Sequence, residues 1–577
     1  MAQSNDLYRI PFLIGVVGHR DLVVDELPQI REALVRLLTN LKDSFPDVQP
    51  TLLTSMAEGA DLLAAEAAAD LGLPVIAALA LPAELSRADL PDDASRKVFD
   101  RVYALAERLE VPDTSSRDDD ASRDRQYQRA GVLVARYSTL LISIWDGKDT
   151  DHKAGTARVV EYRRRGIAPT TDEEPLPSNA LLAAHDNDLT FDIRCSRLQD
   201  GERPGVKVIG FVGADASGGD EIPRSLATTL ERIAAFNRDV DEFKDKIAQH
   251  RRLSLPTPYA PPARLSYLDN LFRSTDWLGT YYRRCFTTAL RTRYALWTVM
   301  AFLLLSFKKE SFGLLGLVTI AGVLVVFTLG LGLALWAHKR SWHRKYLDYR
   351  ALAEGLRVEF FWEIAGVRGR FDGEFAHESF LQRQDIELEW IRAAMRAVSL
   401  RLAGRAGHAL PSGFSDAFAG WIGDDHPVHG SGQLFYYSKR IGRLERNLHV
   451  AEVIGGVLLF AGLGIALVFA GEVGLEWVTD SQLFSPGVRG VLLWVLAIVT
   501  VCAVIFDTYI SEKADRALIR QYRYMYSLFG IAARELRSVR SDAQKLDILR
   551  SLGHACLAEH AQWILGHRDK RIEGLRW

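Results

Sequence analysis

The sequence has few cysteines and no excess of charge of either sign. Its four cysteines, Cys195, Cys285, Cys502 and Cys556, are far apart and form no CxxC pair, so neither a disulfide framework nor a zinc site is expected. The chain has 71 basic and 73 acidic residues, and the formal net charge of -2 provides no overall field that attracts nucleic acid. We therefore expect no nucleic acid partner, no metal and no cofactor.

The first residues also lack the features of a secretory signal. The segment MAQSNDLYRIPFLIGVVGHRD has no basic start, and its apolar run is only about as long as one strand. We therefore expect the N-terminal half to lie in the cytoplasm. At 577 residues the chain is too long for one ordinary domain.

Long apolar stretches are confined to the C-terminal half. Those at 312–337, 449–471 and 488–506 are each about long enough to cross a bilayer, and Glu452 and Arg489 lie near the ends of the last two. A fourth, 294–307, covers only about 20 Å of a roughly 30 Å hydrocarbon layer, and it spans if the flanking arginines and lysines reach the two surfaces. Basic residues flank the outer ends of both pairs. We therefore predict four transmembrane helices in two hairpins, in the inner (plasma) membrane, with both termini cytoplasmic.

The N-terminal part alternates apolar strands with amphipathic helices. FLIGVVG is a predicted buried strand, QPTLLTS, PVIAALALP and STLLISIWDG are further predicted strands, and helical patterns follow them. The expected fold class is an α/β Rossmannoid domain, with a parallel sheet and helices on both faces, joined to an all-α membrane domain. The segment VKVIGFVGADASGGDEIP is predicted to supply the last strand of the sheet and a connection to the membrane. The polar segment 113–125 is predicted as a mobile loop, which could close over a ligand if it lies at the rim of the site.

These patterns predict five segments. They are a cytoplasmic ligand-binding domain (1–250), a helical linker (251–293), a first hairpin with cytoplasmic helices (294–403), a cytoplasmic connector (404–448) and a second hairpin with C-terminal helices (449–577).

Four turns follow the predicted strands at the edge where such sheets bind ligands. Their small residues let backbone N–H groups approach an anion, Arg20 can bind phosphate, and Glu58 and Asp61 can accept bonds from sugar hydroxyls. A nucleotide-like ligand fits all these roles. A simpler interpretation makes Ser55 a helix cap. The candidate ligand-binding residues are Gly18, His19, Arg20, Ser55, Glu58, Gly59, Asp61, Asp146, Gly147, Gly155 and Thr156.

The stretch TSMAEGADLLAAEAAADLGLPVIAALAL resembles the Ser-x-Ala-x-Gly-x-Asp turn, Ala-rich helix and following strand of the SLOG superfamily. That superfamily includes DNA-processing proteins, lonely-guy nucleosidases and the cytosolic domain of TRPM channels. The hairpins that lead into YRALAEGLR-like helices resemble SLATT units, the proposed pore-forming partners of SLOG domains in bacterial conflict systems. The resemblance implies a nucleotide sensor that controls a membrane effector, with a homo-oligomer and the lipid bilayer as partners.

Two alternatives stay open at this point. A lonely-guy nucleosidase has PGG before its Gly-Thr pair and a glutamate three residues after the threonine. This chain lacks PGG, and Glu161 lies five residues after Thr156, nearly on the opposite face of the helix. If the protein is nevertheless an N-glycosidase, Glu58 and Asp61 are its catalytic candidates. The other alternative is a non-catalytic membrane scaffold.

Two histidines near the second hairpin have a spacing that could suit a metal. His426 and His429 stand beside Asp424 and Asp425, but no further ligand cluster is evident nearby. A solvated loop is the preferred interpretation.

Overall fold

The structure is a computed structural model of the full chain. It describes residues 8–110, 120–148, 155–165, 189–199, 203–213, 215–250, 253, 265–306, 314–367, 388–403, 413–426, 429–479, 484–513 and 515–568. These residues form two compact units. The first comprises 1–278, 348–417 and 549–577, and the second comprises 279–347 and 418–548.

The first unit is built on an eight-stranded sheet with the order β4-β3-β2-β1-β5-β6-β7-β8. The first six strands in this order, from β4 through β1 to β6, are mutually parallel, whereas β7 and β8 are antiparallel to their neighbours. The sheet is therefore mostly parallel, and the predicted parallel arrangement does not extend to β7 and β8. The strands are β1 (Phe12–Gly18), β2 (Pro50–Thr54), β3 (Val75–Leu79), β4 (Glu107–Glu110), β5 (Leu140–Trp145), β6 (Thr190–Arg194), β7 (Lys207–Gly213) and β8 (Ala216–Ser217).

Two further predictions can be compared with the structure. The segment VKVIGFVGADASGGDEIP, predicted to supply the last strand, contains both β7 and the short strand β8, which pairs with β7 at the edge of the sheet. The polar segment 113–125 is not wholly a loop, since a helix begins at Asp120. Residues 113–119 of that segment lie outside the described residues.

Helices connect the strands and pack on the sheet. The helices are α1 (Leu27–Ser44), α2 (Ala60–Asp70), α3 (Ala83–Ala88), α4 (Asp93–Leu105), α5 (Asp120–Tyr137), α6 (Thr156–Arg165), α7 (Arg224–Glu242) and α8 (Lys244–Ala248). Strands β2, β3 and β5 are buried along their whole length, which explains why they contain no charged residue.

Residues far along the chain complete the core of the first unit. Helices α11 (Trp342–Ala365) and α12 (Glu389–Ala403) place most of their residues in this unit. Ala397 and Leu400 of α12 belong to the same buried cluster as Leu13 of β1 and Leu53 of β2. The sheet unit is therefore formed by separated parts of the chain, and α12 is one of its core helices.

The second unit is helical. Its long helices are α9 (Ser266–Ser306), of which the part after residue 278 belongs to this unit, α10 (Leu314–Lys339), α14 (Gly432–Thr479) and α15 (Pro486–Lys513), and α16 (Asp515–Ser538) follows them. Helix α13 (Gly413–Ala417) and most of α17 (Asp542–Arg568) belong to the first unit. Within the described residues, three helical stretches are long and apolar enough to cross a membrane: Gly316–Ala365, Gly432–Val478 and Pro486–Ser538.

In the most apolar part of each stretch, few side chains are buried. Leu314, Phe460 and Trp477 are 80%, 71% and 88% exposed. Such a surface is unfavourable in water and suits lipid. These three stretches indicate a membrane protein. The predicted fourth span, 294–307, is not one of them.

Candidate functional site

The predicted site lies where the strand order of the sheet reverses. Strand β1 has β2 on one side and β5 on the other, so the connections after β1 and β5 leave the sheet in opposite directions. Ligands of open α/β sheets bind in the crevice that forms at this point. Gly18 ends β1 and Trp145 ends β5, and each is followed by a titratable residue of the predicted site.

These two residues, His19 and Asp146, lie together. Nε2 of His19 is 3.1 Å from Oδ1 of Asp146, and both side chains are about nine-tenths buried. Burial lowers the pKa of His19, against the opposing effect of Asp146. Burial alone would raise the pKa of Asp146, but the Lys148 N–H and the His19 ring outweigh it, and the pKa is lowered. The sequence predicted both residues but not their pairing.

Gly18 and Gly59 permit close approach of the protein's own chain. The backbone N–H of Ala60, at the start of α2, donates to the carbonyl oxygen of His19 at 3.1 Å. A Cβ at Gly59, where φ is +81°, would lie 2.4 Å from the carbonyl oxygen of Arg20. A Cβ at Gly18 would lie 2.3 Å from the Cβ of Ala60. The turn after β1 is therefore fixed directly against the first turn of α2.

Ser55 and Asp61 form a buried pair behind this turn. Ser55 Oγ donates to Oδ2 of Asp61 at 2.5 Å, and Asp61 is 6% exposed. Burial raises the pKa of Asp61 to about 6, although Ser55 and Arg20 act in the opposite direction. The N-cap of α2 is Gly59, and it has no side-chain cap. The interpretation of Ser55 as a helix cap is therefore wrong, because its hydroxyl bonds to Asp61 instead.

The residue after Ser55 has an unusual backbone conformation. Met56 has a φ of 51°, in the left-handed region that side chains other than glycine rarely occupy. Its N–H donates to Thr54 Oγ1 at 3.1 Å. Backbone strain of this kind is often found at binding sites.

Arg20 and Glu58 are the more accessible charged groups of the site. Arg20 is exposed, and its guanidinium carbon lies 3.8 Å from the centre of the Tyr127 ring. The Tyr127 hydroxyl donates to Asp89 at 2.8 Å, and burial raises the pKa of this tyrosine to about 12. Burial also raises the pKa of Glu58, whereas Arg20 opposes the shift. Arg20 is thus held over an aromatic ring beside a carboxylate.

The β5–α6 turn supplies the other predicted residues. Gly147 has a φ of +82°, and a Cβ there would lie 1.8 Å from Nη1 of Arg194. Gly155 stands before α6, and its carbonyl oxygen accepts from Arg158 N at 3.0 Å. Thr156 is the first residue of α6, while Ala154 lies outside the described residues. Glu161 forms an ion pair with Arg158 at 2.8 Å, which gives it a structural role.

Sequence reasoning missed a buried charged group at β6. Asp192 is 1% exposed and accepts from Ser143 at 2.6 Å, Thr190 at 2.8 Å and Arg164 at 2.5 Å. Arg194 Nη2 lies 3.5 Å from the same carboxylate, and its guanidinium carbon lies 4.3 Å from the Trp145 ring. The only signal in the sequence was a charged residue on each side of the apolar Ile193 in FDIR.

His426 and His429, whose spacing could suit a metal, lie close together in the structure. The rings of His426 and His429 stack with their centres 5.7 Å apart. Within the part of the chain that the structure describes, no group of three or more His, Cys, Asp or Glu residues could hold a metal ion.

Comparison with known proteins gives no relative. No family model, no curated protein and no solved structure matches this chain.

Proposed function

We propose that this protein is a membrane-anchored sensor in which a nucleotide-like small molecule binds at the β1/β5 edge of the sheet and controls the membrane helices. The observation that carries the proposal is the pairing of His19 with Asp146 at the point where the strand order reverses. Arg20 and Glu58 stand on the adjacent turns. Titratable groups with shifted pKa values, gathered at one sheet edge, are typical of functional sites.

The residues take different roles in this site. Arg20 is exposed and can donate two parallel hydrogen bonds to a phosphate. Glu58 can accept from sugar hydroxyls. Asp61 is buried against Ser55, so we assign it to holding the turn in place. The resemblance to SLOG domains supports the same class of ligand.

The membrane part is proposed to contain four spans, the fourth being the C-terminal half of α9. Tyr294 of α9 packs against Tyr509 of α15, with ring centres 5.4 Å apart, and Phe302 packs against Trp494 at 5.6 Å. These contacts place residues 294–302 alongside a membrane-length helix. The resemblance to SLATT units supports a pore-forming or membrane-disrupting oligomer that acts in bacterial conflict or antiphage defence.

The structure also bears on coupling. The chain passes between the units at four points, after residues 278, 347, 417 and 548. Ligand binding in the first unit can therefore act on the second through several connections of one chain. We propose that the ligand favours one of two membrane states by binding it more tightly.

A thermal-shift screen of the full chain in detergent tests the ligand. The full chain is needed because the first unit includes 348–417 and 549–577. Nucleotides, cyclic nucleotides and ADP-ribose derivatives are added one at a time, and each mixture is then examined by mass spectrometry. An intact ligand that raises the unfolding midpoint supports the sensor, and this rise should be lost in Arg20→Ala but kept in Arg36→Ala, an exposed arginine of α1.

Two other outcomes contradict the sensor. Release of a free base would show an N-glycosidase, with Glu58 as the first residue to replace. If no compound shifts the midpoint, the site does not bind this class of ligand, and a scaffold becomes the better account.

A further inference from the structure

The basic ends of the four long helices meet at one end of the second unit. The ring contacts Tyr294–Tyr509 and Phe302–Trp494 show that α9 and α15 are antiparallel. A Cβ at Gly322 of α10 would lie 3.5 Å from Leu303 of α9, and one at Gly330 would lie 3.9 Å from Leu296, so α9 and α10 are antiparallel too. The N-terminal side of α9 therefore lies at the same end as the C-termini of α10 and α15.

The helices of the second hairpin have the same antiparallel arrangement. A Cβ at Gly455 of α14 would lie 4.0 Å from Phe506 of α15, and one at Gly462 would lie 3.5 Å from Val499. Helices α14 and α15 are therefore antiparallel as well, and the N-terminal part of α14 joins the same end of the unit.

Exposed cations surround this end. We call them the basic collar: Arg291, Lys339, Arg340, Arg443, Arg446 and Arg516, all of them exposed. One nearby carboxylate, Glu452, pairs with Arg516 at 2.8 Å. Another, Glu445, pairs with Arg523 rather than with a member of the collar. Asp507 of α15 is a further exposed carboxylate at this end. The five collar cations other than Arg516 outnumber it, so the collar retains a positive excess.

The opposite end has a different charge balance. There, among the described residues, Arg489 lies 2.6 Å from Glu472 and 2.6 Å from Glu476. One cation is thus matched by two carboxylates. An anionic surface is favoured at the collar end only.

Exposed tryptophans place the collar at the depth of lipid headgroups. Trp336, 53% exposed, precedes Lys339 by one helical turn, and Trp297, 39% exposed, follows Arg291 by about 9 Å along the axis. Tryptophan is enriched at the boundary between hydrocarbon and headgroups. The cations one or two turns beyond it stand where phosphates lie.

We propose that the basic collar binds the phosphates of anionic phospholipids, so that the protein selects anionic over zwitterionic lipid. Clusters of Lys and Arg beside membrane helices attract anionic headgroups, and the attraction weakens with salt. This inference rests on the membrane insertion of the proposed function, and it is independent of nucleotide binding.

Lipid retention by the full chain tests this proposal. The protein is reconstituted into nanodiscs of equal parts phosphatidylglycerol and phosphatidylcholine, extracted into mild detergent, and the lipids that remain bound are quantified by mass spectrometry. We expect several-fold enrichment of phosphatidylglycerol, which falls at high salt. Phosphate at matched ionic strength should displace no more lipid than chloride does, because the ligand is a membrane headgroup.

A matched pair of variants separates charge from folding. The variant R291Q/K339Q/R443Q/R446Q should lose the enrichment, whereas R291K/R443K/R446K, which keeps every charge, should retain it. Equal retention of both lipids by the wild type, or enrichment that survives in the glutamine variant, overturns the proposal. Should the glutamine variant fail to fold, the salt dependence of the lysine variant decides. Failure to insert into nanodiscs of phosphatidylcholine alone would instead contradict the membrane assignment.

Discussion

His19 and Asp146 lie 3.1 Å apart at the ends of two adjacent parallel strands, although 127 positions separate them in the sequence. Strand pairing brings them together, since Gly18 of β1 is in register with Ile144 of β5. Burial keeps the pKa of His19 below its ordinary value. The proposal of a binding site at this sheet edge rests mainly on this pair.

The lowered pKa of His19 predicts a pH effect on stability. The folded protein favours the neutral ring, whereas the unfolded chain takes up a proton below about pH 6.5. The contribution of His19 is therefore present above that pH and is lost as the pH falls toward the folded pKa. The difference in unfolding midpoint between wild type and His19→Gln should narrow from about pH 7 to pH 5. A constant difference over that range would contradict the shift.

The raised pKa of Asp61 predicts that its contribution to stability changes with pH in the opposite direction. Its pKa of about 6 in the folded protein is above the ordinary value, so its stabilising effect is present at low pH and is lost as the pH rises through about 6. Asp61→Asn keeps an acceptor for Ser55 and removes the buried charge. Relative to wild type, its unfolding midpoint should rise by a few degrees from about pH 4 to pH 7. A parallel pair of midpoint curves would show that Asp61 has an ordinary pKa.

Gly59→Ala should destabilise the protein and move the turn after β1. The new Cβ would meet the carbonyl oxygens of His19 and Arg20 within 2.5 Å, and φ is also positive. We expect a cost of about 2–4 kcal/mol. Gly72→Ala is the control, because φ is +68° there but no atom lies within 4 Å of the new Cβ. Its cost should be about 1 kcal/mol, measured by denaturant or thermal unfolding. Equal costs would contradict the close approach at Gly59.

Asp192→Asn should be among the most destabilising polar changes in the first unit. It removes the charge that Arg164 and Arg194 share in a buried position. Breaking a buried ion pair costs about 3–5 kcal/mol. Asp241→Asn is the matched control, because its partner Arg9 and Asp241 itself are 31% and 45% exposed. A thermal midpoint for Asp192→Asn as high as that of the control would argue against the charged cluster.

The contact between Phe302 and Trp494 tests the fourth span. A double-mutant cycle with Phe302→Ala and Trp494→Ala, measured by unfolding in detergent, should give a coupling of about 0.5–1.5 kcal/mol, as edge-to-face rings do. Phe302 and Phe460 form the control cycle, since Phe460 is 71% exposed on α14. This second cycle should give no coupling. Absence of coupling in the first cycle would place the C-terminal half of α9 away from α15.

Local sequence patterns predicted the strands that are buried on both faces. Strands β1, β2, β3 and β5 are mostly apolar and contain no charged residue because both of their faces are covered. Strand β4, with the sequence ERLE, has no apolar run because it lies at the edge of the sheet. Strand β6 was missed because Asp192 interrupts its apolar pattern, and that charge is tolerated only through partners elsewhere in the chain.

The candidate site, too, was predictable from the sequence only in part. Its residues could be predicted because each follows a strand, but their partners depend on tertiary structure. Arg194 and Tyr127 come from other elements, and neither position has a local signal. Gly18 and Gly59 were predicted to approach a ligand, whereas the space beside each is filled by the protein's own backbone or by Ala60.

The most direct test of the central claim is ion flux through liposomes that contain the full chain. The ligand found in the thermal-shift screen is added on the side of the first unit, and flux is compared between wild type and Arg20→Ala. The account predicts flux that rises with ligand in the wild type and stays at the basal level in the variant. Unchanged flux in the wild type, at a concentration that saturates binding, would contradict control of the membrane helices by the sheet domain.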